Sequence, residues 1–168
     1  MQRIAVVGSG GAGKSTFATE LGRQLAVPVI HLDEHYWQPG WVETATEEWR
    51  DRQRKLLASD RWIVDGNYTS TLDVRLDRAD TVVVLAMPRW RCLIRVLRRW
   101  LQHYGRAVQA AGCPERVSPA FLRWVWNYPR SGRARLDTAL ARHRQNLRVV
   151  ELYSPADVRD FLARAARS

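Results

Sequence analysis

With 168 residues the chain is long enough to bury one substantial core and too short for an ordinary nicotinamide domain joined to a substrate domain, so a single domain over 1–168 is expected. Its two cysteines, Cys92 and Cys113, have neither metal nor redox spacing, and no apolar run is of membrane length; a disulfide scaffold and a membrane partner are not expected, and a start directly in a strand with no signal segment fits a reducing cytoplasm. The net charge of +10 is uneven: residues 1–80 carry 10 Lys+Arg against 12 Asp+Glu, residues 81–168 carry 17 against 5, so anion binding is expected of the second half.

Ile4-Ala5-Val6-Val7 reads as a short buried strand, and Ser15 to Ala26 reads as a helix. Between them Gly8-Ser9-Gly10-Gly11-Ala12-Gly13-Lys14-Ser15 fits G-x-x-x-x-G-K-[ST] at every fixed position. The glycines allow the backbone to aim successive N–H groups at phosphate oxygens, at the positive end of the helix. Lys14 is placed to reach the β- and γ-phosphates, Ser15 to ligate Mg²⁺, and Thr16 to lie beside the α-phosphate. Gly8, Gly10 and Gly13 also satisfy the dinucleotide pattern G-x-G-x-x-G, with Asp33 about 20 positions on. Lys14-Ser15, which that pattern does not require, favours a nucleoside triphosphate with magnesium.

Further strand-like runs at 28–31, 61–65, 80–86 and 147–152 alternate with helical stretches, which predicts a parallel sheet covered on both faces with its ligand at the carboxyl edge. Asp33, after the second run, is a candidate base for an attacking hydroxyl, with a cap or turn carboxylate as the alternative. His31 and His35 have i, i+4 spacing but no evident third metal ligand, so packing or substrate contact is expected of them. Tyr36, Trp37 and Trp41 can stack on a substrate ring or fill core. Thr44 and Glu47 form a plausible capping box for the next helix. Asp65, closing the third run, suits a carboxylate near Mg²⁺, and Asp65-Gly66-Asn67-Tyr68 is the second candidate site stretch. Arg75 either clasps an anionic acceptor or pairs with neighbouring Asp residues.

Residues 89–104 read as a helix after Pro88, with Arg95 and Arg99 on one face where they can grip phosphates. Gly105 to Pro119 lacks periodicity and suits a connection able to close over the site. Arg130 and Arg133 bring cations back, a helix runs to about Asn146, and Ser154-Pro155 opens the last helix. The arginine density from Arg89 to Arg148 fits a polyphosphate cleft best, with a nucleic-acid surface and a solvated face as alternatives.

Gly8 to Thr16, His31-Leu32-Asp33, Trp37-Gln38-Pro39-Gly40-Trp41, Trp62-Ile63-Val64-Asp65-Gly66-Asn67-Tyr68, Pro88-Arg89-Trp90 and Gly112-Cys113-Pro114-Glu115 together resemble the adenylate-kinase-like P-loop kinases, and more closely the DNA topology modulation (FlaR-like) family. The resemblance implies an α/β, three-layer P-loop fold: a five-stranded parallel sheet of order 2-3-1-4-5, an acceptor-binding insertion at about 33–60 and a helical lid at about 100–130. It implies ATP and Mg²⁺ as cofactors, Lys14 and Ser15 as phosphate and magnesium residues, Asp65-Gly66 after the third strand, and Arg95 and Arg99 as lid arginines, with Arg130 or Arg133 returning from the lid. Asn67-Tyr68 stands where adenylate kinases have Phe-Pro-Arg, so the usual nucleoside-monophosphate arginine is absent; Arg75 substitutes for it, or the acceptor is not a nucleotide. The expected activity is phosphoryl transfer from ATP, with catalysis by Lys14, Asp33, Arg95 and Arg99 and acceptor contacts from Asp33, Tyr36, Trp37, Asp65, Asn67, Arg75, Arg130 and Arg133. A nucleotide-regulated nucleic-acid-binding protein using the basic half is the alternative.

Overall fold

The computed structural model describes residues 1–143 and 147–167. In chain order they form β1 (Arg3–Gly8), α1 (Lys14–Leu25), β2 (Val29–His31), α2 (Leu32–Tyr36), β3 (Trp37–Gln38), β4 (Val42–Glu43), α3 (Thr46–Leu56) and β5 (Trp62–Asp65). Then follow α4 (Leu72–Leu76), β6 (Thr81–Leu85), α5 (Arg89–His103), α6 (Pro119–His143), β7 (Arg148–Leu152) and α7 (Pro155–Ala165). The main sheet has the order β2-β5-β1-β6-β7, every pair parallel; β3 and β4 form a separate antiparallel hairpin. Counting main-sheet strands alone, this is the expected order 2-3-1-4-5.

Strand periodicity builds the three layers. Along β1, Ile4 and Val6 face a core completed by Phe17 and Leu21 of α1, Val96 of α5 and Phe161 of α7. Ala5 and Val7 face the opposite core, completed by Trp49 of α3, Leu72 of α4 and Leu136 of α6. Both faces of the parallel sheet are thus covered, which is why its strands read as continuous apolar runs.

The helix α6 contributes to both cores, Val125 to the first and Leu136 to the second. Pro129 lies within it, removing the backbone donor that would meet the Val125 carbonyl near this change of side. The expected extension of this helix to about Asn146 falls partly on residues 144–146, outside the described residues. Two local expectations differ in outcome. Thr44 does not cap α3: its hydroxyl donates to the Tyr36 carbonyl, and Ala45 occupies the cap position with no side-chain bond, because the hairpin carries Thr44 towards α2. Ser154 does cap α7, accepting from the Asp157 amide at 3.2 Å, while the Asp157 carboxylate accepts from the Ser154 amide at 2.9 Å.

Replacing Ser154 by alanine breaks this reciprocal cap and is expected to lower stability by about 1 kcal/mol, read as a reduced urea midpoint with an unchanged slope.

Candidate active site

The strand β1 runs into the glycine-rich loop at the carboxyl edge of the sheet, and α5 lies against that loop. Gly11 has φ +76°, and a Cβ built there would sit 2.3 Å from the Cys92 carbonyl oxygen of α5. Gly13, at φ +95°, is the residue from which α1 starts. Both positions require glycine, the first for space as well as backbone angle. The two nearby cations rest on loop carbonyls: Lys14 Nζ donates to Ser9 O at 3.0 Å and Arg95 Nη1 donates to Ala12 O at 3.0 Å. Burial holds the Lys14 ammonium below its ordinary value, reinforced by Arg99 and opposed by the fields of Asp33 and Asp65. Ser9 Oγ is buried, with no hydrogen-bond partner among the described residues. A desolvated ammonium and an unpartnered hydroxyl beside a helix N-terminus are suited to an anion.

The parallel register aligns His31, Asp65 and Val6 across β2, β5 and β1, placing the Asp65 carboxylate beside the loop. Asp65 is 3% exposed. Ser15 Oγ donates to its Oδ2 at 2.6 Å, and His31 Nδ1 lies 2.6 Å from its Oδ1. The second distance makes the ring nitrogen facing Asp65 the protonated one. Hydrogen bonding to Asp65 raises the His31 pKa above its ordinary value against the effect of burial.

On the other side of the cleft, Tyr68 donates to Asp33 Oδ1 at 2.5 Å. Burial, then the Asp33 charge, pushes the Tyr68 hydroxyl strongly upward, so it remains a donor. Tyr36 packs among Trp37, Trp49 and Tyr68 with ring centroids 4.4–5.1 Å apart. Asn67 Oδ1 accepts from Tyr128 of α6 at 2.9 Å. Arg75 is fully buried, and its two terminal nitrogens donate to the carbonyls of Gly66 and Tyr68 at 2.8 Å. Burial pushes this guanidinium down to about 10, leaving it charged at neutral pH. Arg75 therefore neither opens towards a ligand nor pairs with its neighbours: Asp73 binds Arg50 and Asp77 binds His143.

The hairpin and the 105–118 connection meet across the cleft. Trp41 Nε1 donates to Pro114 O at 2.8 Å, the Gly40 amide to Gly112 O at 2.9 Å, and Cys113 Sγ lies 3.2 Å from Gln38 O. Arg99 ion-pairs with the buried Glu115 of this connection at 3.3 Å, while Arg95 reaches the loop. The two returning arginines separate: Arg130 is exposed, whereas Arg133 is bound by Glu151 at 2.6 Å and by Asp137 at 2.7 Å. Arg133, with its pKa raised by Glu151, ties α6 to β7 in this structure.

Sequence reasoning missed His31 as the partner of Asp65, Tyr128 as the partner of Asn67, and Glu115 as the partner of Arg99. The first was accessible once strand order placed the ends of β2 and β5 side by side. The other two depend on how α6 and the long connection fold back, for which local sequence carries no signal.

Several solved structures share this fold. A candidate kinase from Chloroflexus aurantiacus is 18% identical, with 98% of this chain and 96% of that chain covered and a TM-score of 0.58. A gluconokinase from Sinorhizobium meliloti is 19% identical, with coverages of 99% and 92% and a TM-score of 0.55. A shikimate kinase from Aquifex aeolicus is 15% identical, with coverages of 96% and 94% and a TM-score of 0.56. The chain thus has the three-layer P-loop kinase fold. No family model and no curated protein matches it, so the resemblance to the topology modulation family rests on the motifs alone.

The His31–Asp65 contact makes stability depend on pH. Protonated His31 stabilises the folded chain fully below its ordinary value of 6.5, and the contribution fades as pH rises through the raised folded-state value. Replacing His31 by glutamine is expected to depress the thermal midpoint more at about pH 5.5 than at about pH 9, as measured by circular dichroism melts.

Proposed function

We propose that this chain is a phosphotransferase that moves the γ-phosphoryl group of ATP onto a hydroxyl of a small molecule, with Mg²⁺. The observation that carries this reading is the convergence of Lys14, the Ser15–Asp65 pair and Arg95 on one loop, with the Asp33 carboxylate acting on Lys14 from across the cleft. The unpartnered Ser9 hydroxyl and the desolvated Lys14 fit a polyphosphate, and the acidic, hydroxyl-bearing Ser15–Asp65 pair fits a hard divalent cation. Ser15 would hold Mg²⁺ directly and Asp65 would support it. The metal supplies charge neutralisation on the transferred phosphoryl.

The residues of the chain supply the rest. Loop amides and Lys14 bind the phosphates, and Arg95 and Arg99 oppose charge on the transferred group once they leave Ala12 O and Glu115. Tyr68 holds Asp33 by one oxygen; among the described residues Oδ2 accepts no hydrogen bond and is left to take the acceptor's hydroxyl proton. The acceptor oxygen bonds to the γ-phosphorus as the bond to the β,γ-bridging oxygen breaks, releasing ADP. Trp37, Tyr36 and Asn67 would line the acceptor side. A hydroxyl acceptor is favoured over a nucleoside monophosphate because Arg75 is occupied by backbone carbonyls. The shared fold with structures named shikimate kinase and gluconokinase supports the same choice.

ATP consumption across a panel of hydroxylated metabolites and nucleoside monophosphates tests the reading. One hydroxylated acceptor is expected to stimulate turnover, and Lys14→Ala and Asp33→Asn each to reduce that stimulation by at least about 100-fold. Absence of any acceptor-stimulated turnover, together with DNA binding that falls steeply with salt, would favour the nucleic-acid alternative.

A further inference from the structure

The helix α5 has an outward face that the phosphotransferase reading does not use. Trp90, Ile94, Leu97, Leu101 and Tyr104, spaced alternately by four and three residues, run along α5 to the residue after it and are between 39% and 73% exposed. At 100° per residue these five lie within one stripe, while Cys92 and Val96 point into the core and Arg95 and Arg99 point towards the loop and Glu115. Trp100, Leu101 and Tyr104 line a shallow recess at the end of the stripe. A contiguous apolar surface of this kind on a soluble face marks an interaction site.

Charge and composition identify what it fits. Arg91 and Arg98 lie along one edge of the stripe, and the whole interval 81–136 contains 11 arginines and a single acid, Glu115, which is buried and paired with Arg99. A second copy of the chain would bring arginine-edged stripes together with no carboxylate on α5 to separate them. Aliphatic residues occupy the middle of the stripe and aromatic ones its ends, with Trp126 close by, its ring 4.0 Å from the Arg89 guanidinium. Amphipathic aromatics beside arginines are suited to the headgroup level of a bilayer, and the aliphatics between them to the acyl boundary. Among the described residues no helix is long and apolar enough to cross a membrane, so the contact is peripheral.

We propose that the outward face of α5 docks on an anionic phospholipid surface, with Ile94, Leu97 and Leu101 entering the acyl boundary and Arg91 and Arg98 meeting lipid phosphates. The site is distinct from the phosphate loop, and the proposal stands independently of the reaction catalysed. Co-sedimentation of the full chain with vesicles of phosphatidylcholine containing a quarter phosphatidylglycerol, against phosphatidylcholine alone, tests it.

Binding to the anionic vesicles only, weakened by salt, is expected. The double substitution Ile94→Glu/Leu101→Glu, at exposed positions, is expected to lower the vesicle-bound fraction at least about tenfold with an unchanged far-UV spectrum. Arg98→Glu provides an independent arm with a loss in the same direction. Failure to bind anionic vesicles overturns the proposal, as does binding that all these substitutions leave intact. A wild-type dimer in sedimentation velocity, abolished by Leu101→Glu in the absence of vesicle binding, would assign the face to a second copy instead.

Discussion

A carboxylate removed from water is costly unless its oxygens are met by donors, and Asp65 is such a group at the centre of the cleft. The Ser15 hydroxyl meets one oxygen and the His31 ring the other, so one buried side chain holds the start of α1 and the ends of β2 and β5 together. The sheet makes this possible because parallel strands deliver their carboxyl ends to the same edge, with β5 inserted between β1 and β2. The same geometry places the carboxylate where a divalent cation on Ser15 would need it. The fold is thus stabilised by contacts that the proposed chemistry would rearrange.

A second layer keeps the segment after β5 in place. Among the described residues Arg75 has no acid in hydrogen-bonding contact; instead, its fork donates to the carbonyls of Gly66 and Tyr68. The Tyr68 carbonyl also accepts from the Thr71 amide at 3.2 Å, so the guanidinium adds a second donor there and ties it to the Gly66 carbonyl. With that turn fixed, Tyr68 is held against Asp33 and Asn67 against Tyr128. The proposed proton acceptor, Asp33, would need a defined orientation more than proximity alone, and the bond from Tyr68 holds one of its oxygens. Aromatic packing of Tyr36 and Trp49 around Tyr68 closes the space behind.

The parallel sheet and the glycine-rich loop were legible because each rests on local signals: β-branched runs, helical periodicity and the steric requirements of residues such as Gly11 and Gly13, whereas the strand order came only from the resemblance of the motifs to the P-loop kinases. Ser154 was legible as a cap for the same reason. Thr44 carried an equally good local signal, but tertiary packing turned its hydroxyl to Tyr36, and nothing within the motif itself distinguishes the two cases. Arginine roles were the least legible. Arg75, Arg99 and Arg133 are chemically alike, yet one binds carbonyls, one binds the carboxylate of Glu115 and one binds β7. The carbonyls on Arg75, Glu115 on Arg99 and Glu151 on Arg133 are 7–18 residues away along the chain and are set by how the elements pack, so helical spacing and resemblance offered these arginines to anionic ligands without showing those partners.

The arrangement on α5 explains why charge density was a poor guide in that half. A 15-residue helix turns through about four revolutions, enough to present different chemistry on each side. Cys92 and Val96 secure it to the core, Arg95 reaches the loop, and the outward stripe remains apolar, with Arg91 and Arg98 along one edge of it. The excess of positive charge in residues 81–168 therefore divides by direction: some arginines face the cleft, some support the fold, and some border an exposed apolar surface. A sum over sequence merges these groups, whereas helical geometry separates them. Because α5 also packs against Gly11 through the Cys92 carbonyl, a partner on its outer side would act on a helix that already lies against the glycine-rich loop.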